Sequence, residues 1–276
     1  MKKLSPLNYN LTSSFANLFV LKTSAIIKLL PVFFMLAFFS FSSNVQAQNV
    51  NIPDANFKAA LVGNSAINTN NDGEIQVWEA EAFTGNMNVS NLGITDLSGI
   101  ENFTSLTALS CFQNSLNNIN VSANTALIVL YCSYNNLSTL DVSANTALTG
   151  LFCDYMNLGS LDVSGNTALG VLSCRNIRLT ILDVSANTAL GELYCSGNNL
   201  STLNLLTNTA LYRLYCNNNY SLSTLNISAN TALRELIFHL HKWRQNSNAI
   251  SLYQHPCTYY ATYHRNAVHW QPRRRI

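Results

Sequence analysis

Six cysteines stand 21 residues apart, and the interval does not vary. A constant interval of this length indicates one structural unit stacked on copies of itself, because each unit buries its apolar face against its neighbours. The sequence therefore predicts a solenoid, a fold that presents long open surfaces to solvent. The six residues are Cys111, Cys132, Cys153, Cys174, Cys195 and Cys216.

Each unit reads Leu-x-x-Leu-x-Cys-x-x-Asn and continues Leu-x-x-Leu-x-Val-Ser-Ala-Asn-Thr-Ala, with local variation. The segment Leu-x-x-Leu-x-Cys predicts a short strand whose alternate residues point inward. The second half is too short and too rich in β-branched residues for an α-helix, so extended or 3₁₀ structure is expected there. The units begin at Leu106, Leu127, Leu148, Leu169, Leu190 and Leu211.

This repeat pattern resembles that of the leucine-rich-repeat family, with cysteine in place of the third leucine of the strand. An earlier segment, residues 87–103, fits the same frame, and its run from Ile94 to Ile100 resembles the internalin type. The combination of Asn-Thr-Ala-Leu with cysteine also resembles exported repeat proteins of Bacteroidetes-type bacteria. The resemblance covers residues 83–236. It implies an α/β repeat solenoid of about seven repeats, with short parallel strands on the concave face, an irregular or 3₁₀ convex side and a small helical N-terminal cap.

The cysteine column is predicted to consist of buried thiols. Cysteines at one repeat position lie in register on neighbouring parallel strands, about 4.8 Å apart, and point into the core. A small thiol fills such a core position well. Zinc is not expected, because that ion requires a tetrahedral cluster of ligands and these cysteines form a line.

The N-terminal 47 residues are predicted to be an export signal. Lysines precede an apolar run at 29–39, and the segment ends in a small-x-small cleavage site at Ala47. The run is short for a membrane span of about 20 residues, although a retained signal anchor is the alternative. We expect a mature chain without a membrane span that starts at Gln48 and is secreted or held at the cell surface.

Residues 48–82 are predicted to form a helical cap that covers the apolar end of the solenoid. A helix is expected over 52–61, and a second from Val77 to Phe83. Between them, residues 68–79 fit a twelve-residue EF-hand loop with Gly73 at the sharp turn. The alternative is an Asn/Asp/Gly-rich turn without an ion. The candidate ligands of a structural calcium ion are Asn68, Asn70, Asp72, Glu74 and Glu79.

The predicted concave face carries a stripe of aromatic residues. One column lies just before the cysteines and another lies two residues after them. Exposed tyrosines are typical of surfaces that recognise proteins or sugars. The alternative is a stacking ladder that only stabilises neighbouring strands. The candidate binding residues are Tyr131, Phe152, Tyr194, Tyr215, Tyr134, Tyr155, Asp154 and Arg175.

Charge and composition narrow the function. Residues 48–236 carry five basic and all thirteen acidic residues, a net charge of −8, which argues against nucleic-acid binding. Histidine is absent before residue 239, so the solenoid lacks the histidine partner of a nucleophilic dyad. The sequence thus favours a non-enzymatic module that binds a protein or glycan. The alternative is a structural spacer or capping region of a larger cell-surface or adhesin protein.

The repeat pattern is predicted to stop at residue 236, in the middle of a strand. Residues 237–276 carry six basic residues and no acidic residue, and the leucine period is lost. One interpretation is a frameshifted or otherwise aberrant reading of a longer gene. The competing interpretation is a basic tail that contacts lipid or a polyanion. Little order is expected there in either case.

Overall fold

The structure is a computed structural model that describes residues 48–238. Eight three-residue strands in these residues form one parallel sheet in chain order. This arrangement confirms the predicted repeat solenoid. The strands are β1 (Asn86–Asn88), β2 (Ala108–Ser110), β3 (Val129–Tyr131), β4 (Gly150–Phe152), β5 (Val171–Ser173), β6 (Glu192–Tyr194), β7 (Arg213–Tyr215) and β8 (Glu235–Ile237).

The register of the sheet follows from the leucine column. The middle residue of each strand pairs with the middle residue of the next, as in Leu130 with Leu151 and Leu151 with Leu172. These leucines are fully buried. A slip by one residue would bring every buried side chain to the surface, so the apolar pattern fixes the register. The first and third residues of each strand consequently face outward.

The six cysteines form the predicted buried column and are all free thiols. The Cys153 thiol donates a hydrogen bond to the carbonyl of Ser173 on the next coil at 3.3 Å. Burial raises the pKa of the Cys111 and Cys195 thiols to about 12, since a thiolate loses its hydration in the apolar core. These buried thiols are therefore unreactive, and they serve to fill the core.

Two ladders of asparagine side chains tie each coil to the one before it. The first ladder lies in the Cys-x-x-Asn segment, where the Asn135 amide donates to the carbonyls of Cys111 and Cys132, both at 3.0 Å. The second ladder lies in the Ala-Asn-Thr-Ala segment and was not predicted. Its members are fully buried, and each donates to two carbonyls of the preceding coil. They are Asn124, Asn145, Asn166, Asn187, Asn208 and Asn230.

The cap contains two short helices, α1 (Ala55–Val62) and α2 (Val77–Ala82). The Asp54 side chain accepts from the Phe57 N–H and so caps α1. Its other oxygen accepts from the backbone and hydroxyl of Thr95, which attaches the cap to the first coil. The return segments are turns, with a 3₁₀ helix at Ile100–Asn102.

The last described strand continues beyond the predicted end of the repeat. Ile237 completes β8 and pairs with Tyr215, and Phe238 follows at the position that cysteine holds in earlier coils. Phe238 packs against the core. The predictions for the signal segment and for residues 239–276 concern residues outside the described part. Within 48–238, neither helix has the length and apolar character of a membrane span.

Candidate ligand-binding face

The strand face consists of the outward residues of β1–β8 and the residues just after each strand. All eight predicted binding residues lie on it, but they fall into two groups with different surroundings. Tyr131, Phe152, Tyr134 and Tyr155 lie together on β3, β4 and the turns that follow, and we call them the aromatic cluster. Tyr194 and Tyr215 belong to a separate polar network further along the sheet.

The aromatic cluster is built from two stacked pairs. The rings of Tyr131 and Phe152 have their centroids 4.5 Å apart, and those of Tyr134 and Tyr155 lie 4.4 Å apart. Both spacings are close to the separation of neighbouring strands, so the ladder itself brings the rings together. The tyrosines remain about half exposed, at 40% for Tyr131, 50% for Tyr134 and 46% for Tyr155. The rings therefore present their edges and hydroxyls to solvent.

The second pair has an unusual backbone conformation. Tyr134 and Tyr155 have φ angles of 57° and 56°, in the left-handed region. Later coils place asparagine or glycine at this column, as in Asn176 and Gly197, and the coil before Tyr134 places Gln113 there with a φ of 56°. A bulky residue in this region costs roughly 1–3 kcal/mol, and such strain concentrates at functional sites. Stability alone thus gives no reason for tyrosine at these two positions.

A groove of about 490 Å³ adjoins the aromatic cluster. Its walls include the Tyr131 and Phe112 rings, and the small residues Ala108 and Ser110 lie between β1 and the larger rings. Phe112 is 38% exposed and was not among the predicted residues. The groove offers an apolar side chain a partly enclosed site on an otherwise open face.

Asp154 and Arg175 join the two groups. The Asp154 carboxylate accepts from the Ser173 hydroxyl at 2.8 Å and from the Arg175 backbone N–H at 2.7 Å. Ser173 is therefore buried and interrupts the aromatic stripe. The Arg175 guanidinium lies over the Tyr194 ring, 4.4 Å from its centroid, in a cation–π contact.

The C-terminal half of the strand face is a network whose members satisfy each other. Arg213 bridges two carboxylates, with Glu192 at 2.8 Å and Glu235 at 2.7 Å. The Tyr215 hydroxyl donates to Glu235, and this bond raises the pKa of Tyr215 to about 12. The hydroxyls of Tyr194 and Tyr212 donate to Glu192. Because these groups have partners within the sheet, this half is better suited to stabilising strands than to binding.

Sequence reasoning missed this network because it considered only the third strand position. Glu192, Arg213 and Glu235 occupy the first position of β6, β7 and β8 in register. Opposite charges alternate along that column, which is a readable signal for an ion-pair ladder. Reading the column of first strand positions in the same way would have identified it.

The predicted calcium ligands are occupied by donors from the protein itself. Glu79 is buried, and its oxygens accept from the Thr69 N–H and hydroxyl, the Asn70 N–H and the Gln76 N–H. Burial would raise the pKa of this carboxyl, but the four donors outweigh it and hold the pKa below its ordinary value. Glu79 thus closes the loop and completes the capping box of α2.

Other predicted ligands have partners within the protein as well. Glu74 pairs with Lys58 at 2.7 Å, and Asp72 accepts from the Gln76 amide at 2.8 Å. The buried Asn68 Oδ1 atom, which has no hydrogen-bond partner within 48–238, is the one oxygen that suits an ion. Most of these oxygens thus already accept from protein donors, and calcium binding stays a prediction.

The described residues contain no group of three or more His, Cys, Asp or Glu side chains that could hold a metal ion. What the strand face does offer is stacked rings, an apolar groove and a fixed cation. These features support non-covalent recognition over an extended surface.

Three solved structures are similar to this chain. The functional domain of InlJ from Listeria monocytogenes, which includes a cysteine ladder, is 29% identical over 71% of this chain and 54% of its own length, with a TM-score of 0.48. The internalin C2 from Listeria monocytogenes is 17% identical over 70% of this chain and 98% of its own, with a TM-score of 0.53. The Leptospira interrogans leucine-rich-repeat protein LIC12759 is 20% identical over 64% of this chain and 54% of its own, with a TM-score of 0.50.

The chain spans about half the length of the InlJ domain and of the Leptospira protein. The last two of the three structures agree with the repeat architecture described above. Neither a scan against protein-family models nor a search of curated proteins found a match.

Proposed function

We propose that this chain, which folds as an internalin-like leucine-rich-repeat solenoid, is a non-catalytic recognition module for a protein ligand. The aromatic cluster and the adjoining groove form its contact surface. We further propose that the chain acts outside the cell, after cleavage near Ala47. The export signal on which this rests is an interpretation of the sequence.

The observation that carries the proposal is the conformation of Tyr134 and Tyr155. Their stacking contributes about 0.5–1.5 kcal/mol, whereas the left-handed backbone costs roughly 1–3 kcal/mol at each residue. Both rings also stay about half exposed. Residues that oppose stability and remain accessible are characteristic of binding surfaces.

The stacking geometry favours a protein over a glycan. In each pair the rings cover one another, with interplanar angles of 16° and 17°. A sugar ring packs against a free aromatic face, while a protein surface accepts ring edges and hydroxyls equally well. The glycan ligand, which the sequence also allows, is therefore the second outcome to test.

A structural spacer is supported by a different observation. The network around Arg213 is satisfied within the sheet and gives β6–β8 a stabilising function. The two functions occupy different halves of the strand face. The recognition proposal accordingly rests on the half of the strand face that includes β1–β4.

The experiment uses a double variant, Tyr134→Asn with Tyr155→Asn, because asparagine tolerates the left-handed region. Arrays of purified extracellular proteins and of glycans are probed with the wild type, the double variant and Ile181→Asn, which changes an exposed residue off the strand face. We expect protein binding by the wild type and the control, and its loss in the double variant without a lower Tm. A lower Tm with unchanged binding would support the spacer, and a glycan signal would reassign the ligand.

A further inference from the structure

Arg175 carries a fixed positive charge without a carboxylate partner in the described part of the chain. The other cations with described contacts are paired, Lys58 with Glu74 and Arg213 with Glu192 and Glu235. The Arg175 guanidinium instead lies 4.4 Å from the centroid of Tyr194 and 5.8 Å from that of Tyr215. Its planar group is thus oriented before any ligand arrives, which lowers the entropic cost of binding.

The nearest acidic groups are already engaged elsewhere. Asp154 accepts from the Ser173 hydroxyl and the Arg175 backbone, and Glu192 accepts from Arg213, Tyr194 and Tyr212. The guanidinium N–H donors therefore stay available to an external acceptor. A carboxylate is the group that matches their planar, forked geometry.

The groove beside Tyr131 is the second anchor point, and it is continuous with the first. Asp154 lines the groove and also binds the Arg175 backbone N–H. The walls of the groove are the Tyr131 and Phe112 rings, which suit an aromatic or branched aliphatic side chain. One ligand can therefore reach both anchors without crossing the network around Arg213.

The spacing of the two anchors defines the ligand. The Arg175 guanidinium lies over the Tyr194 ring of β6. Strands β3 and β6 are three strand separations apart, about 14 Å, and an extended peptide advances about 3.3 Å per residue, so about four residues span the gap. Resting on the proposed function, we propose that the ligand is an extended acidic peptide segment. Its apolar side chain fills the groove, and an Asp or Glu four residues away, on the same face of the extended peptide, pairs with Arg175.

The test is selection of a random twelve-residue peptide library, displayed on phage, against the immobilised full chain. We expect the enriched peptides to share an aromatic or aliphatic residue and an acidic residue four positions apart. Synthetic copies should bind about tenfold more weakly to Arg175→Gln, as for loss of a partly exposed charge pair. The matched control is Arg178→Gln, which removes the same charge from an exposed residue of the same repeat and should stay within twofold of wild type.

Two further variants separate this inference from the proposed function. Peptides that bind Arg175→Gln normally but are lost with Tyr131→Ala would overturn the acidic ligand and leave the recognition surface intact. Peptides whose binding is unchanged by both substitutions would contradict the proposed recognition surface as well. Enrichment without an acidic position, or no enrichment at all, also contradicts the inference.

Discussion

The side-chain amide of Asn166 donates to the carbonyls of Val142 and Asn145, each at 2.9 Å, and so joins its coil to the preceding one. Each of these carbonyls also accepts a backbone N–H of its own coil, Val142 from Asn145 at 3.0 Å and Asn145 from Leu148 at 3.1 Å. The Asn166 amide is therefore a second donor to each buried carbonyl, and it links the two coils in a region that water does not reach.

We expect Asn166→Ala to destabilise the solenoid by about 1–3 kcal/mol, because it removes two buried hydrogen bonds between coils. Chemical denaturation of the variant and of wild type measures the difference. The control is Asn157→Ala, which changes an exposed residue of the same coil and should leave the free energy of unfolding nearly unchanged. Equal midpoints for all three proteins would contradict the structural function of this ladder.

Glu79→Gln should destabilise the cap at neutral pH, since the carboxylate accepts four donors from the loop and α2. The folded pKa of Glu79 lies below its unfolded value. Its contribution is therefore complete above about pH 5 and is lost as the pH falls through the folded pKa. The difference in Tm between variant and wild type should shrink on acidification, and a difference independent of pH would argue against a charged group.

Thermal melts of the wild type and of Glu79→Gln in the presence of added calcium test whether the loop binds the ion. Calcium that binds only the folded protein raises its Tm. The calcium prediction requires a rise in the wild type that disappears in Glu79→Gln. A wild-type Tm that is identical with calcium and with a chelator would instead leave Glu79 as the loop anchor described above.

The cysteine column should be inert to alkylation in the folded protein. A Cys257→Ser variant removes the thiol outside the described residues and leaves the six buried ones. Burial raises their pKa values, so few thiolates exist even at pH 9. Mass spectrometry after iodoacetamide treatment should show no adduct in buffer and six in guanidinium chloride, and rapid native labelling would refute the buried column.

Arg213→Met should lower stability by about 1–2 kcal/mol, because it leaves Glu192 and Glu235 facing each other across β7 without a cation. The loss should narrow in high salt, which screens partly exposed charges. Arg234→Met, at an exposed position just before β8, is the matched control. Protein binding through the aromatic cluster should survive in both variants, since that cluster lies on other strands.

The sequence predicted the repeats better than it predicted the residues between them. Leucine and cysteine columns set the register of β2–β7, because a misplaced strand would expose its apolar side. The function of Glu79 was harder to predict. The sequence position of Glu79 relative to Gln76 fits a capping box, and its position relative to Asn68 fits the last ligand of a calcium loop. Sequence spacing alone does not distinguish these two functions.

The aromatic stripe was predicted as one surface, and the structure divides it. Ser173 is small enough to be buried beneath the stripe, where it binds Asp154. Tyr194 and Tyr215 are held by carboxylates from the first strand position, a column that only the folded sheet brings beside them. The left-handed conformation of Tyr134 and Tyr155 follows from the turn after each strand, where most other coils carry a residue that adopts it easily.

The coil-to-coil pairing of the sheet also sets how the distance between groove and Arg175 can evolve. Each strand contacts only the strands beside it, so inserting one 21-residue unit between β4 and β5 preserves the pairing on both sides. Each such event would move the two anchors by one strand separation, about 4.8 Å. The distance between the groove and Arg175 therefore changes only by multiples of one strand separation. A gene rearrangement can thus select a ligand of different length while the residues of the groove and Arg175 stay the same.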